Sequence, residues 1–133
     1  MNDMSALPRL LLIDDEPALA DFVAQTAQLC GFAPAVASDR DSFQRGFAEA
    51  TPNVVVLDLG MPNTDGVEFL RFLADHRFAG PVLIVSGFDR RVLESAFRLG
   101  TALGLTMVGP LEKPVRLEEL EQLLESLKPG LVP

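Results

Sequence analysis

Tryptophan and tyrosine are absent from this chain of 133 residues, and cysteine and histidine occur once each, as Cys30 and His76. A single cysteine excludes an internal disulfide and any cysteine metal cluster. Cys30 falls just before Gly31, where a helix should end, and reads as a small buried hydrophobe. His76 stands near the end of a helical stretch, in Asp75-His76-Arg77, where a cation suits the negative helix end and no metal or transfer chemistry is expected of it. With nine Phe as its only aromatic residues, the chain has them at core-like spacings that need no site. Positive charge is also scarce: 11 Lys and Arg face 19 Asp and Glu, a net charge of -8. General electrostatics therefore argues against direct nucleic-acid binding and against an anionic membrane surface. No long apolar run exists at the start, because Leu10-Leu11-Leu12-Ile13 meets two acids at once. That run is too short for a signal-peptide core or a membrane span, and a soluble cytoplasmic protein is expected.

What is present is an alternation. Arg9 to Ile13 reads as a strand, and Pro17 fits the first turn of a helix that Gly31 stops. Leu19, Phe22, Val23, Thr26, Ala27 and Cys30 form one apolar face of that helix. Phe32 to Ala37 is a weaker strand, and Pro34 places it at a sheet edge. Ser38 or Asp39 caps a second helix with Phe43, Phe47 and Ala50 facing inward. Val54 to Leu57 is a third strand, followed by a helix that starts at Thr64 or Asp65 and carries Val67, Leu70, Phe72 and Leu73. Pro81 introduces a fourth strand through Ser86, and Asp89 caps a helix through Val92, Leu93, Ala96, Phe97 and Leu99. Gly100 to Gly104 fits either a further helical turn or a loop. Thr106 to Val108 reads as a short fifth strand, and Arg116 to Leu127 as an amphipathic last helix. Residues 1–8 form an expected extension, 9–127 one domain and 128–133 a tail. Strict β–α alternation implies a parallel sheet covered by helices on both faces.

In such a sheet the carboxyl ends of all strands lie along one edge, where binding sites form. Asp14 and Asp15 follow the first strand, Asp58 ends the third, Ser86 the fourth, and Lys113 lies just past the fifth. Three carboxylates brought together repel one another unless a cation joins them. Hard oxygen ligands with room for water suit Mg²⁺, which also contacts phosphate. A carboxylate can be a nucleophile toward phosphorus, and phosphoryl transfer is mostly positioning plus electrostatics. The set therefore reads as a metal site poised for a phosphoryl group, with the Lys113 ammonium and the Ser86 hydroxyl as further partners. Each residue alone would be an ordinary cap or surface charge; the ordered combination is what carries the reading.

The ordered motifs resemble those of a receiver domain of two-component response regulators, over residues 9–127. They are Leu-Ile-Asp14-Asp15-Glu16, Leu57-Asp58-Leu59-Gly60-Met61-Pro62 with Asp65-Gly66, Val85-Ser86-Gly87, and Lys113-Pro114. The resemblance implies a flavodoxin-like doubly wound (βα)5 fold with strand order 2-1-3-4-5. It implies that Asp58 accepts a phosphoryl group from a histidine kinase or phosphotransfer protein. Asp15, Asp58 and the backbone carbonyl of Gly60 would bind Mg²⁺ directly, and Asp14 through a water. A cis peptide is implied between Lys113 and Pro114. Phosphorylation adds about −1.5 to −2 charges and new acceptor oxygens, toward which Ser86 would move with the loop ahead of the fourth helix. In the family an aromatic residue on the fifth strand then rotates; here that position is Pro110, which has no ring able to rotate. Coupling is expected through Met107 or Leu111 instead, or through another surface.

Gly60 and Phe88 flank the expected path of the attacking water, and neither side chain can orient it, so slow self-dephosphorylation is expected. Arg90, Arg91 and Arg98 make the fourth helix basic, whereas Glu118, Glu119, Glu121 and Glu125 make the fifth acidic. That face would suit an unidentified downstream protein or a homodimer built on helix four, strand five and helix five. No enzymatic activity is expected beyond self-phosphorylation and self-dephosphorylation. The alternative is a receiver-like scaffold that binds constitutively, which Pro110 favours and the intact acid, serine and lysine set disfavours. An enzyme is the weakest reading: no Gly-rich phosphate loop follows the first strand, and Asp14-Asp15 lacks the Asp-x-Asp spacing of aspartyl-phosphate phosphatases.

Overall fold

A computed structural model describes residues 7–59, 66–87 and 90–130. The elements alternate as β1 (Arg9–Ile13), α1 (Pro17–Leu29), β2 (Ala33–Ala37), α2 (Arg40–Glu49), β3 (Val54–Asp58), α3 (Gly66–Asp75), β4 (Pro81–Ser86), α4 (Arg90–Ala102), β5 (Thr106–Glu112) and α5 (Leu117–Leu127), with a 3₁₀ turn at Lys128–Gly130. All strand pairs are parallel, and the sheet runs β2-β1-β3-β4-β5. This is the flavodoxin-like order implied by the sequence.

Period-two alternation divides the core between the two faces of the sheet. Leu11, Ile13, Val55 and Leu57 pack with Phe43, Phe47, Phe69, Leu70 and Leu73 of α2 and α3. Leu10, Leu12, Val54 and Val56 pack with Ala20, Val23 and Ala27 of α1 and with Leu120 and Leu124 of α5. Because helices cover both faces, β3 is buried along its whole length, and burying a Val or Leu side chain of this kind stabilises the fold by about 1.5–3 kcal/mol. Phe32, Phe43, Phe47, Phe69 and Phe78 do serve as core. Phe43 meets Phe69 edge-on at 5.1 Å, and Phe47 meets Phe72 at 5.3 Å.

Local chemistry sets the element ends. Pro17 opens α1, and Gly31, at φ +91, lets the chain leave it. Cys30 is buried at that helix's end, and burial raises its thiol pKa, with Glu125 nearby adding to the effect. Asp39 forms a capping box with Ser42: its Oδ1 accepts from the Ser42 N–H at 2.7 Å, and the Ser42 hydroxyl accepts from the Asp39 N–H at 3.3 Å. The Ser42 N–H, and next the Ser42 side chain, hold the exposed Asp39 carboxyl below its ordinary pKa. Pro34 lies on the edge strand β2, as expected. Ala50 does not face inward; it is exposed as the residue that closes α2. Val92 is likewise half exposed on α4. The expected starts of α3 and α4 at residues 64, 65 and 89 lie outside the described residues, as do 1–6 and 131–133 of the expected extension and tail. Among the described residues, no helix is long and apolar enough to cross a membrane.

The largest departure from the sequence reading is β5. It continues past Val108 to Glu112, and between the Leu83–Val108 and Val85–Leu111 pairs it carries one residue more than β4. The extra length falls at Gly109-Pro110, where Gly109 has φ +84 and the peptide to Pro110 is cis. Gly-Pro looks like the end of a strand in sequence, but an edge strand can absorb it as a bulge.

Candidate functional site

The sheet register explains why the acids meet. Ile13 pairs with Leu57, so the next residues along the two adjacent strands are Asp14 and Asp58. Both share the face of Leu10, Leu12, Val54 and Val56, which α1 and α5 cover. Asp58 pairs with Val85, one residue before Ser86, and Ser86 pairs with Glu112, one residue before Lys113. The Lys113 N–H donates to the Ser86 carbonyl at 2.9 Å, carrying the ladder one residue beyond β5. The Lys113–Pro114 peptide is cis, as the resemblance implied.

Among the described residues, Asp14, Asp58 and Ser86 are the polar side chains buried along this edge, with Ser86 wholly inaccessible. The Lys113 Nζ donates to Asp58 Oδ2 at 3.1 Å and to Glu16 Oε1 at 2.9 Å. Carboxylate oxygens of Asp14, Glu16 and Asp58 all lie within 4.8 Å of one another. Asp15 is exposed and stands outside that set, while Glu16, which sequence reasoning placed only as an acid before a helix, stands inside it. Gly60 and Phe88 lie outside the described residues.

The electrostatics match this crowding. Burial pushes the Asp14 carboxyl up to about 6; the Glu16 N–H, bonded to its Oδ1 at 2.9 Å, opposes the rise, and the Asp58 carboxylate adds to it. For Lys113, burial pulls the pKa down, but the bonds to Glu16 and Asp58 and their negative charges outweigh it, and the net shift is upward. The three carboxylates thus crowd together, and two of them, Glu16 and Asp58, share one ammonium. Their donor set is all hard oxygen with negative charge in excess, which fits a divalent cation of the Mg²⁺ kind.

Comparison with known proteins agrees with this geometry. The family profile described as "Response regulator receiver domain" matches residues 10–125. The chain belongs to the response regulator receiver family. Among relatives of this receiver domain, the transcriptional regulatory protein TrcR of Mycobacterium tuberculosis is 34% identical over 119 residues, which are 90% of this chain and 44% of that protein. The regulatory protein AtoC of Escherichia coli is 28% identical over 92% of this chain and 25% of its own length. The chain therefore spans less than half the length of these relatives. A response regulator from Colwellia psychrerythraea has a similar structure, with a TM-score of 0.75 and 28% identity over 93% of this chain and 98% of that one.

Of the residues singled out from sequence, the fold brings Asp14, Asp58, Ser86 and Lys113 to one edge. His76 lies elsewhere: its Nδ1 is 2.8 Å from the Phe72 carbonyl, and its ring packs on the Phe72 ring at 4.1 Å. Arg90, Arg91 and Arg98 are exposed on α4, and Glu118, Glu119 and Glu125 are exposed on α5, with Glu121 half-buried. Arg90 Nε pairs with Glu112 Oε1 at 3.1 Å, joining the start of α4 to the end of β5.

Proposed function

We propose that this receiver domain accepts a phosphoryl group on Asp58 from the phosphohistidine of a histidine kinase or phosphotransfer protein. The observation that carries the proposal is the Lys113 ammonium 3.1 Å from a buried Asp58 carboxylate, with Asp14 and Glu16 beside it. One Asp58 oxygen would form the new O–P bond as the donor's bond to phosphorus breaks and its electron pair leaves with the donor. Lys113 and the Ser86 hydroxyl would then meet the charge on the phosphoryl oxygens. Asp14, Asp15, Asp58 and the Gly60 carbonyl are the groups proposed to hold Mg²⁺. When bound, that ion would neutralise carboxylate and phosphate charge together.

The phosphorylated domain would act on a downstream protein, or pair with a second copy through α4, β5 and α5, where the exposed arginines and glutamates are complementary. It would work in the cytoplasm, with no direct nucleic-acid or membrane binding and no catalysis beyond its own phosphorylation and dephosphorylation. One observation favours the scaffold reading: Pro110, in the bulge of β5, replaces the aromatic ring through which the family transmits the signal. Incubation with Mg²⁺ and acetyl phosphate, read by intact mass, separates the two. A phosphoryl adduct that needs Mg²⁺ and is lost in Asp58→Asn supports the phosphoacceptor. A folded protein that forms no adduct supports the scaffold.

A further inference from the structure

Lysine is a compact charge on a flexible four-carbon stem, so a single contact does little to fix where its ammonium sits. In this chain the Lys113 ammonium has two carboxylate contacts of nearly equal length, Glu16 at 2.9 Å and Asp58 at 3.1 Å. The two partners differ in kind. The Asp58 side chain is 1% exposed and would be the reacting group; that of Glu16 is 61% exposed and would form no bond to phosphorus. The Glu16 backbone is pinned on both sides. Its N–H donates to Asp14 Oδ1 at 2.9 Å, and its carbonyl accepts from the Ala20 N–H at 2.9 Å as α1 begins at Pro17. Glu16 thus ties Asp14, just after β1, to Lys113 beyond β5, which is 97 positions from Glu16 in sequence.

We propose that Glu16 is a positioning residue for Lys113, the anchor the ammonium keeps while its other contact passes from the Asp58 carboxylate to the incoming phosphoryl oxygens. The proposal rests on Asp58 being the phosphoacceptor. Once an Asp58 oxygen is bonded to phosphorus, the carboxylate charge that held Lys113 is gone from that oxygen. The Glu16 carboxylate is untouched by the transfer. With it in place, the ammonium is held beside the reacting group throughout; without it, the stem is free to swing toward solvent. With acetyl phosphate, the new Asp58 O–P bond forms as the donor's O–P bond breaks, and acetate leaves with the electron pair.

The placement predicts a split in the kinetics. Glu16→Ala removes the anchor and also removes a negative charge near an anionic donor. The limiting rate of adduct formation should fall several-fold, while the acetyl phosphate concentration at half-maximal rate stays level or falls. Glu16→Gln, which keeps an acceptor oxygen, should lie between Glu16→Ala and the unmodified chain. A merely structural loss would reduce the fraction of protein that reacts and leave both constants of the folded fraction alone. Lys113 and Lys128 are the chain's only lysines, so ¹³C-lysine labelling gives two side-chain signals to follow. Glu16→Ala should shift the Lys113 Cε signal and leave that of Lys128, which sits beside Glu125 at 3.7 Å, in place. A normal adduct in the unmodified chain with an unchanged limiting rate, or an unmoved Lys113 signal, in Glu16→Ala overturns the positioning role alone. No adduct in the unmodified chain overturns the phosphoacceptor reading, and the positioning role with it.

Discussion

Two strands of one sheet contrast sharply. β3 is five consecutive buried residues, paired on both sides, and it delivers Asp58 to the sheet edge. β5 is half exposed, is paired on one side only, and carries an extra residue at Gly109-Pro110. Yet β5 must still deliver Lys113 to the same edge, and it does so because pairing resumes at Leu111–Val85 and Glu112–Ser86 after the bulge. The proposed phosphoacceptor thus sits on the fully buried strand, and the irregularity sits on a strand at the edge of the sheet. A bulge is absorbed at an edge because only one neighbour has to accommodate it; in β3 it would break two ladders.

The contrast can be tested by mutation, the largest effect first. Leu57→Ala in β3 should destabilise the fold by about 2–5 kcal/mol, since it opens a cavity in a fully buried strand. Leu111→Ala in β5, at a half-buried position, should be clearly milder in the same urea titration; equal losses would remove the distinction between the strands. Gly109→Ala tests whether the bulge is specified. At φ +84, with an added Cβ 2.7 Å from a Leu83 methyl, about 1–3 kcal/mol of destabilisation is expected from backbone strain and overpacking, and no loss would mean that β5 relaxes there freely.

The acid pair predicts a pH dependence for the metal-free protein. Asp14 has a pKa of about 6 in the fold against 3.8 ordinarily, so between those values the folded state binds more protons than the unfolded state. Stability should therefore fall as pH rises from about 4 to about 6, by linkage. Thermal melts of Asp14→Asn should lack that component of the slope; an identical slope would show that Asp14 titrates normally. The smallest effect is expected at the β5 surface. Arg90→Ala breaks an exposed ion pair with Glu112, and pairs of this kind contribute about 0–1 kcal/mol. A larger loss in a double-mutant cycle with Glu112→Ala would mean that α4 and β5 are held more firmly than their exposure suggests.

How much of this could be read from sequence follows the same division. The apolar runs of β1, β3 and β4 signal buried parallel strands directly, and Pro34 signals an edge. Asp39 and Gly31 signal helix ends through chemistry that acts within a few residues. Asp14, Asp58, Ser86 and Lys113 were legible because strand ends in a parallel sheet share an edge, whatever the intervening chain. β5 was not, since Gly-Pro inside a strand and Gly-Pro ending one look alike until the partner strand is known. Glu16 was missed as well: its contact with Lys113 joins residues far apart in sequence, and an acid ahead of Pro17 already had a local explanation as a helix-end charge. Ala50 followed the apolar period of α2 but fell at its close, where the pattern no longer implies burial.

The central claim is that Asp58 is the acceptor. Borohydride reduction converts an aspartyl phosphate to homoserine, and tandem mass spectrometry of the digested protein then locates it. After treatment with acetyl phosphate and Mg²⁺, homoserine is predicted at position 58 and nowhere else. Homoserine at Asp14 or Asp15, or at no position while the protein remains folded, would contradict it.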